Sequence, residues 1–217
     1  MKDNDFEGLG FSVDTSLVEN EPDTVEQVKK KNWLHEVVDW LDVVVVAFAI
    51  VTIVFSFVFR VATIDGESMN NTLKDGQVVI ISNLGYTPKC GDIVVISRNV
   101  KNTAEAQNEA NTPIIKRVIA VGRQTVNIDY TTGEVFVDGK LLDEPYISTP
   151  TTNKGSVEMP IYVPEGYVFV MGDNRLGSLD SRDKRIGENG IIDNRYILGH
   201  AVFRFLPFSE MGRLDNK

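Results

Sequence analysis

A mainly β protein, an antiparallel barrel-like domain preceded by one transmembrane α-helix, is what this sequence predicts. Three observations carry that reading. An uninterrupted apolar run sits near the N-terminus. Many short β-branched segments follow it at close spacing. Beyond the apolar run, no long stretch has helical periodicity.

The apolar run Val43 to Phe59 reads VVVVAFAIVTIVFSFVF and contains no charge, proline or glycine. As a helix it would be about 26 Å long, close to the roughly 30 Å core of a bilayer. Trp33 and Trp40 precede it, where interfacial aromatics belong, and Asp42 lies at its edge. A buried core helix is the alternative. A cleavable leader fits poorly, because the preceding segment is too long for an n-region and no small-x-small site follows closely. Lys29, Lys30 and Lys31 precede the run and only Arg60 follows it closely. The positive-inside rule then keeps the N-terminus cytoplasmic and puts the rest outside. The expected organisation is a disordered cytoplasmic tail over 1–32, a signal-anchor helix over 33–60 and an extracytoplasmic domain over 61–217.

Within that domain, Gln77 to Ser82, Asp92 to Ser97 and Ile114 to Val121 are rich in β-branched residues. Thr125 to Asp129 and Glu134 to Asp138 flank the turn Thr131-Thr132-Gly133, and Asp138-Gly139 precedes Lys140 to Leu142; both read as hairpins. Ile161 to Val163, Tyr167 to Met171 and Gly199 to Phe205 complete the strands. Residues 98–113 are polar and poor in aromatics, as expected of a mobile loop between two strands.

The net charge is -9 and no basic stripe is present, which argues against a nucleic-acid partner. The single cysteine, Cys90, rules out an internal disulfide. A catalytic role for it would need a base, and only His35, ahead of the apolar run, and His200 are on offer. There is no zinc-type Cys/His spacing, no HExxH, because Asp39 follows His35-Glu36, and no phosphate-binding glycine loop. No metal or cofactor is expected. Ser181 to Lys184 matches S-x-x-K without its companion motifs, and a triad through His200 is left open by spacing alone.

A serine with a lysine remains. Ile64-Asp-Gly-Glu-Ser-Met-Asn-Asn-Thr-Leu73, Gly91-Asp-Ile-Val-Val95, Lys116-Arg-Val-Ile119 and Gly172-Asp-Asn-Arg175 with Ser178 and Asp180-Ser-Arg182 stand in that order after the apolar run. Together they resemble the four boxes of the type I signal peptidases, in a short single-span form like that of Gram-positive bacteria. The resemblance spans about residues 40 to 206. It implies a Ser/Lys-dyad endopeptidase that removes signal peptides from exported preproteins after Ala-x-Ala-like sites. Its partners would be preproteins, the bilayer and the nearby secretion translocon. Ser68 would be the nucleophile and Lys116 the general base. Ser178 would orient the Lys116 amine, Asp180 and Arg182 would pair near the site, Asp173 and Arg175 would hold the turn, and Ile64, Met69 and Leu73 would line shallow substrate pockets.

The chemistry fits these residue types. A serine hydroxyl needs an adjacent base, and a lysine serves as one only when neutral, a state that apolar surroundings favour. On a strand, Lys116 shares a face with Ile114 and Val118, an unusual place for a surface lysine. Three departures from the family pattern stand out. Asn71 replaces the usual proline, Gly66 offers no hydroxyl to an oxyanion, and Ala120-Val-Gly-Arg-Gln124 replaces the commoner Gly-x-Pro-Gly-Asp. Two other readings stay open: a different Ser/Lys protease, which would need a DNA-binding segment if it were like the self-cleaving repressors, and a non-catalytic membrane-anchored β module. Indifference of the protein's role to Ser68→Ala would favour the second.

Overall fold

A computed structural model describes residues 23–97 and 113–214, without the side chains of 23–32 and 57. Of the tail expected to be disordered over 1–32, residues 1–22 lie outside the described residues, as do 98–112 of the loop expected to be mobile over 98–113, whereas 23–32 are helical, contrary to the expected disorder. Helix α1 runs Asp23–Val58, so it begins earlier than the apolar run requires. Its segment Trp33–Ser56 is long and apolar enough to cross a membrane, and none of its residues is buried. Trp40, Phe48 and Phe55 are exposed along it. Thr52, its polar interruption, donates its hydroxyl to the Phe48 carbonyl at 2.8 Å, which satisfies the group within the helix.

The chain from Val54 onward forms its own unit. Its larger sheet contains β1 (Phe59–Thr63), β2 (Val78–Ser82), β3 (Ile93–Ile96), β4 (Ile114–Val121), β9 (Tyr167–Met171), β10 (Ile192–Asp193), β11 (Ile197–Leu206) and β12 (Gly212–Arg213). The smaller sheet contains β5 (Thr125–Asp129), β6 (Glu134–Val137), β7 (Lys140–Leu141) and β8 (Ile161–Tyr162). The larger sheet has the order β1-β2-β11-β3-β4-β9-β10, with β12 on β11; the smaller has β7-β6-β5-β8. All pairings are antiparallel, and the larger sheet is curled, as expected of a barrel-like domain. β1 departs from expectation, because Phe59 leaves the helix and pairs with Ser82. Apolarity alone cannot separate the last turn of a span from a following strand.

Three apolar clusters form the core. Ile64, Met69, Leu73, Val79, Val95 and Ile115 pack into one, Val94, Ile96, Val118 and Val170 into a second, and Ile119, Ala120, Val126, Val135 and Phe169 into a third beneath the smaller sheet. β4 contributes to all three. Its register against β9 shifts between Val118 and Ala120, which accommodates one extra residue. Ile119 and Ala120 consequently both enter the third cluster, where strict alternation would have separated them. The Asp138-Gly139 hairpin has φ of +51° and +75°, the conformation its sequence calls for.

Candidate active site

Ser68 sits in a loop between β1 and β2 that closes on itself. Ile64 N–H donates to Gln77 O at 2.8 Å, Gly76 N–H to Ile64 O at 3.0 Å and Gly66 N–H to Asp75 Oδ1 at 2.8 Å. A single turn follows the serine, with Leu73 N–H on Met69 O at 2.8 Å. Met69 and Leu73 are wholly enclosed and anchor that turn in the core. Their burial leaves them no surface for a substrate, so packing accounts for both. Ile64, by contrast, reaches a groove of about 340 Å³ that Ile114, Ile115 and Leu198 also line.

β4 carries Lys116 to the serine. Its Nζ lies 2.7 Å from Ser68 Oγ and donates to the Ile115 carbonyl at 2.8 Å, and the residue is only 3% exposed. The loop after β9 grips the nucleophile's backbone: Asn174 N–H donates to Ser68 O at 3.1 Å and Asn174 Nδ2 to Glu67 O at 3.2 Å. Gly172 passes so close that a Cβ there would run into Ser68 O and Ser178 Oγ. Ser178 Oγ is buried and makes no hydrogen bond, so the expected bond from Ser178 to the Lys116 amine is not formed in this structure.

The supporting charges form buried ion pairs. Asp180 and Arg182 meet through two contacts of 2.8 Å, and Asp180 Oδ2 also accepts Gly172 N–H at 3.0 Å. Asp173 pairs with Arg117, Nε to Oδ1 at 2.8 Å and Nη2 to Oδ2 at 2.7 Å, and accepts the Thr72 hydroxyl. Arg175 donates to Gly172 O at 3.1 Å, to Thr151 Oγ1 at 2.6 Å and to the Glu144 carboxylate. Burial works against the Arg175 cation, but the Glu144 carboxylate outweighs it and the guanidinium's pKa rises. The Tyr146 ring lies 3.9 Å from the Arg117 guanidinium carbon, and its hydroxyl donates to Glu144 Oε1 at 3.1 Å. Burial, then Glu144, pushes the Tyr146 phenol upward.

Asp173 thus bonds Arg117 and Thr72, which stood in the quoted boxes without an assigned role, and Arg175 bonds Glu144 and Thr151, which, like Tyr146 beside them, carried no assigned role in the sequence. Arg117 had a visible signal, a second cation in an otherwise apolar strand. Glu144 and Tyr146 had none, because their partners lie about 30 residues away.

The other nucleophile pairings are not assembled. His200 places Nδ1 3.0 Å from Ser82 O and stacks on Tyr86. Ser181 Oγ accepts Val170 N–H at 2.9 Å inside the core, whereas Lys184 is exposed. Cys90 is exposed, with Sγ 3.3 Å from Gln124 Oε1. Among the described residues no group of three or more His, Cys, Asp or Glu side chains could hold a metal ion.

The sequence model of the family described as signal peptidase, peptidase S26, matches residues 37–206. The chain belongs to the signal peptidase family. Signal peptidase I of Bacillus licheniformis is 32% identical over 200 residues, covering 88% of this chain and 98% of its own. Signal peptidase IB of Staphylococcus aureus is 35% identical over 193 residues, covering 81% and 92%. The crystal structure of a signal peptidase I from Enterococcus faecalis is 22% identical and covers 53% of this chain and 97% of its own, with a TM-score of 0.41. Membership in this family makes the chain a serine endopeptidase with an N-terminal membrane anchor.

Proposed function

We propose that this chain removes signal peptides from exported preproteins by Ser/Lys-dyad acyl transfer. The observation that carries the proposal is the 2.7 Å approach of the enclosed Lys116 amine to Ser68 Oγ. In its neutral form Lys116 takes the Ser68 hydroxyl proton as the oxygen attacks the scissile carbonyl. The Ser68 backbone N–H, which has no acceptor among the described residues, is free to donate to the developing oxyanion. The intermediate collapses as Lys116 returns the proton to the leaving amine. Water then enters, loses a proton to Lys116 and attacks the ester, and Lys116 returns that proton to Ser68 Oγ as the cleaved signal peptide leaves.

The groove beside Ile64 supports an extended substrate. β1 is an edge strand, and β4 pairs with β9 only from Arg117 onward, so the β4 edge at Ile114 to Lys116 is unpaired by β9. Both segments line the groove, and a peptide laid between them could add as a strand. The Lys29 to Lys31 asymmetry supports a cytoplasmic N-terminus with the catalytic domain outside, near the translocon.

The test is incubation of the full chain, in detergent, with a purified preprotein carrying an Ala-x-Ala site. Wild type should release the signal peptide and Ser68→Ala should not. Equal cleavage by both would overturn the assignment, and no cleavage by either would leave the β-module reading ahead.

A further inference from the structure

One cavity lies away from the dyad, with neither Ser68 nor Lys116 in its wall. It has a volume of about 590 Å³ and is walled by Leu84, Tyr86, Lys89, Asp92, His200 and Arg213 among others. From this pocket we infer a binding site for the headgroup of an anionic phospholipid of the membrane that holds α1.

Its charges are the first argument. Neither the Lys89 ammonium nor the Arg213 guanidinium has an ion-pair partner among the described residues, and both residues are exposed. The single carboxylate in the wall is 4% exposed: Asp92 accepts the Tyr86 hydroxyl at 2.7 Å and Lys89 N–H at 2.9 Å. Tyr86 in turn stacks on His200, with ring centroids 4.1 Å apart, which gives the pocket a stiff aromatic wall. Two unpaired cations in one cavity are notable in a chain of net charge -9, whose overall field repels an anionic surface.

Position is the second argument, and it follows from strand register. Phe59 stands opposite Ser82, and Ser82 stands opposite His200. Adjacent strands are about 4.8 Å apart, so His200 lies about 10 Å from Phe59. Phe59 comes three residues after Ser56, the end of the apolar span, and three residues reach at most about 11 Å. The pocket wall is therefore within about 20 Å of the point where the chain leaves the membrane. Leu84, on this wall, is 75% exposed, an apolar contact of the kind an acyl chain would cover. Cations beside an exposed leucine suit a phosphodiester attached to a lipid tail better than a free anion.

The experiment uses the full chain in nanodiscs and follows acetylation of individual lysines by mass spectrometry. Phosphatidylcholine discs are compared with discs containing about 20 mol% phosphatidylglycerol, and with phosphatidylcholine discs plus free glycerol phosphate. We expect phosphatidylglycerol to slow Lys89 acetylation about fivefold while Lys154, exposed and unpaired elsewhere, is unaffected. Arg213→Gln should remove most of that protection without altering the thermal melt. Equal protection of Lys154 or none at Lys89, full protection in the Arg213→Gln protein, or protection by free glycerol phosphate equal to that by the lipid would each overturn the proposal.

Discussion

Arg117 and Asp173 form a two-point ion pair, at 2.8 and 2.7 Å, with both residues wholly buried. The pair joins the residue next to Lys116 to the loop that grips Ser68 through Asn174. Removing one partner leaves a charge in the core. Asp173→Ala should therefore destabilise the domain by about 3–5 kcal/mol. Denaturant unfolding of the full chain in detergent checks this; a loss below about 1 kcal/mol would mean the pair is not holding the loop.

The dyad geometry separates lysine as base from lysine as a fixed positive charge. Arginine keeps the charge but cannot be deprotonated in a protein. Lys116→Arg should be as inactive as Lys116→Ala, and wild-type kcat/KM should rise with pH, because only the neutral amine can accept the Ser68 proton. The chemistry in this reading needs no metal, so a chelator should change neither result. The general-base role is falsified if Lys116→Arg retains activity near the wild type.

Ser178 offers a prediction in which stability and activity part. Its buried hydroxyl makes no hydrogen bond, so deleting it should cost no stability and could recover part of a desolvation penalty of about 1–3 kcal/mol. If the hydroxyl orients the amine during turnover, Ser178→Ala should still lower kcat by about one to three orders of magnitude. A variant that melts at or above the wild-type temperature with unchanged kcat would remove Ser178 from the chemistry.

Asn71 has φ of +87°, in the left-handed region that asparagine tolerates and proline, fixed near -65°, cannot enter. Asn71→Pro, although it restores the residue usual in the family, should destabilise the loop and slow cleavage. Asn71→Gly should be close to neutral. Melting temperature and kcat/KM measured on the two variants decide it, and a proline variant indistinguishable from wild type would refute the backbone argument.

The sequence by itself determined the local chemistry. Short runs of β-branched residues bounded by turn residues specified β2 to β6 and β9 to within a residue or so at each end, because strand and turn propensity are written within a few positions. The apolar run specified the span, and an apolar strand bearing Lys116 marked the base. Tertiary structure alone decided what depended on distant partners. Phe59 became a strand because Ser82 was there to pair with it. Met69 and Leu73 became core instead of pocket wall because Val79, Val95 and Ile115 closed over them. Arg117, Glu144 and Tyr146 joined the site only when the sheets folded, and Lys89 and Arg213 came to line one cavity for the same reason. A sequence records each residue's preference, but a charge's partner and a side chain's solvent exposure are set by segments far along the chain, which burial alone brings together.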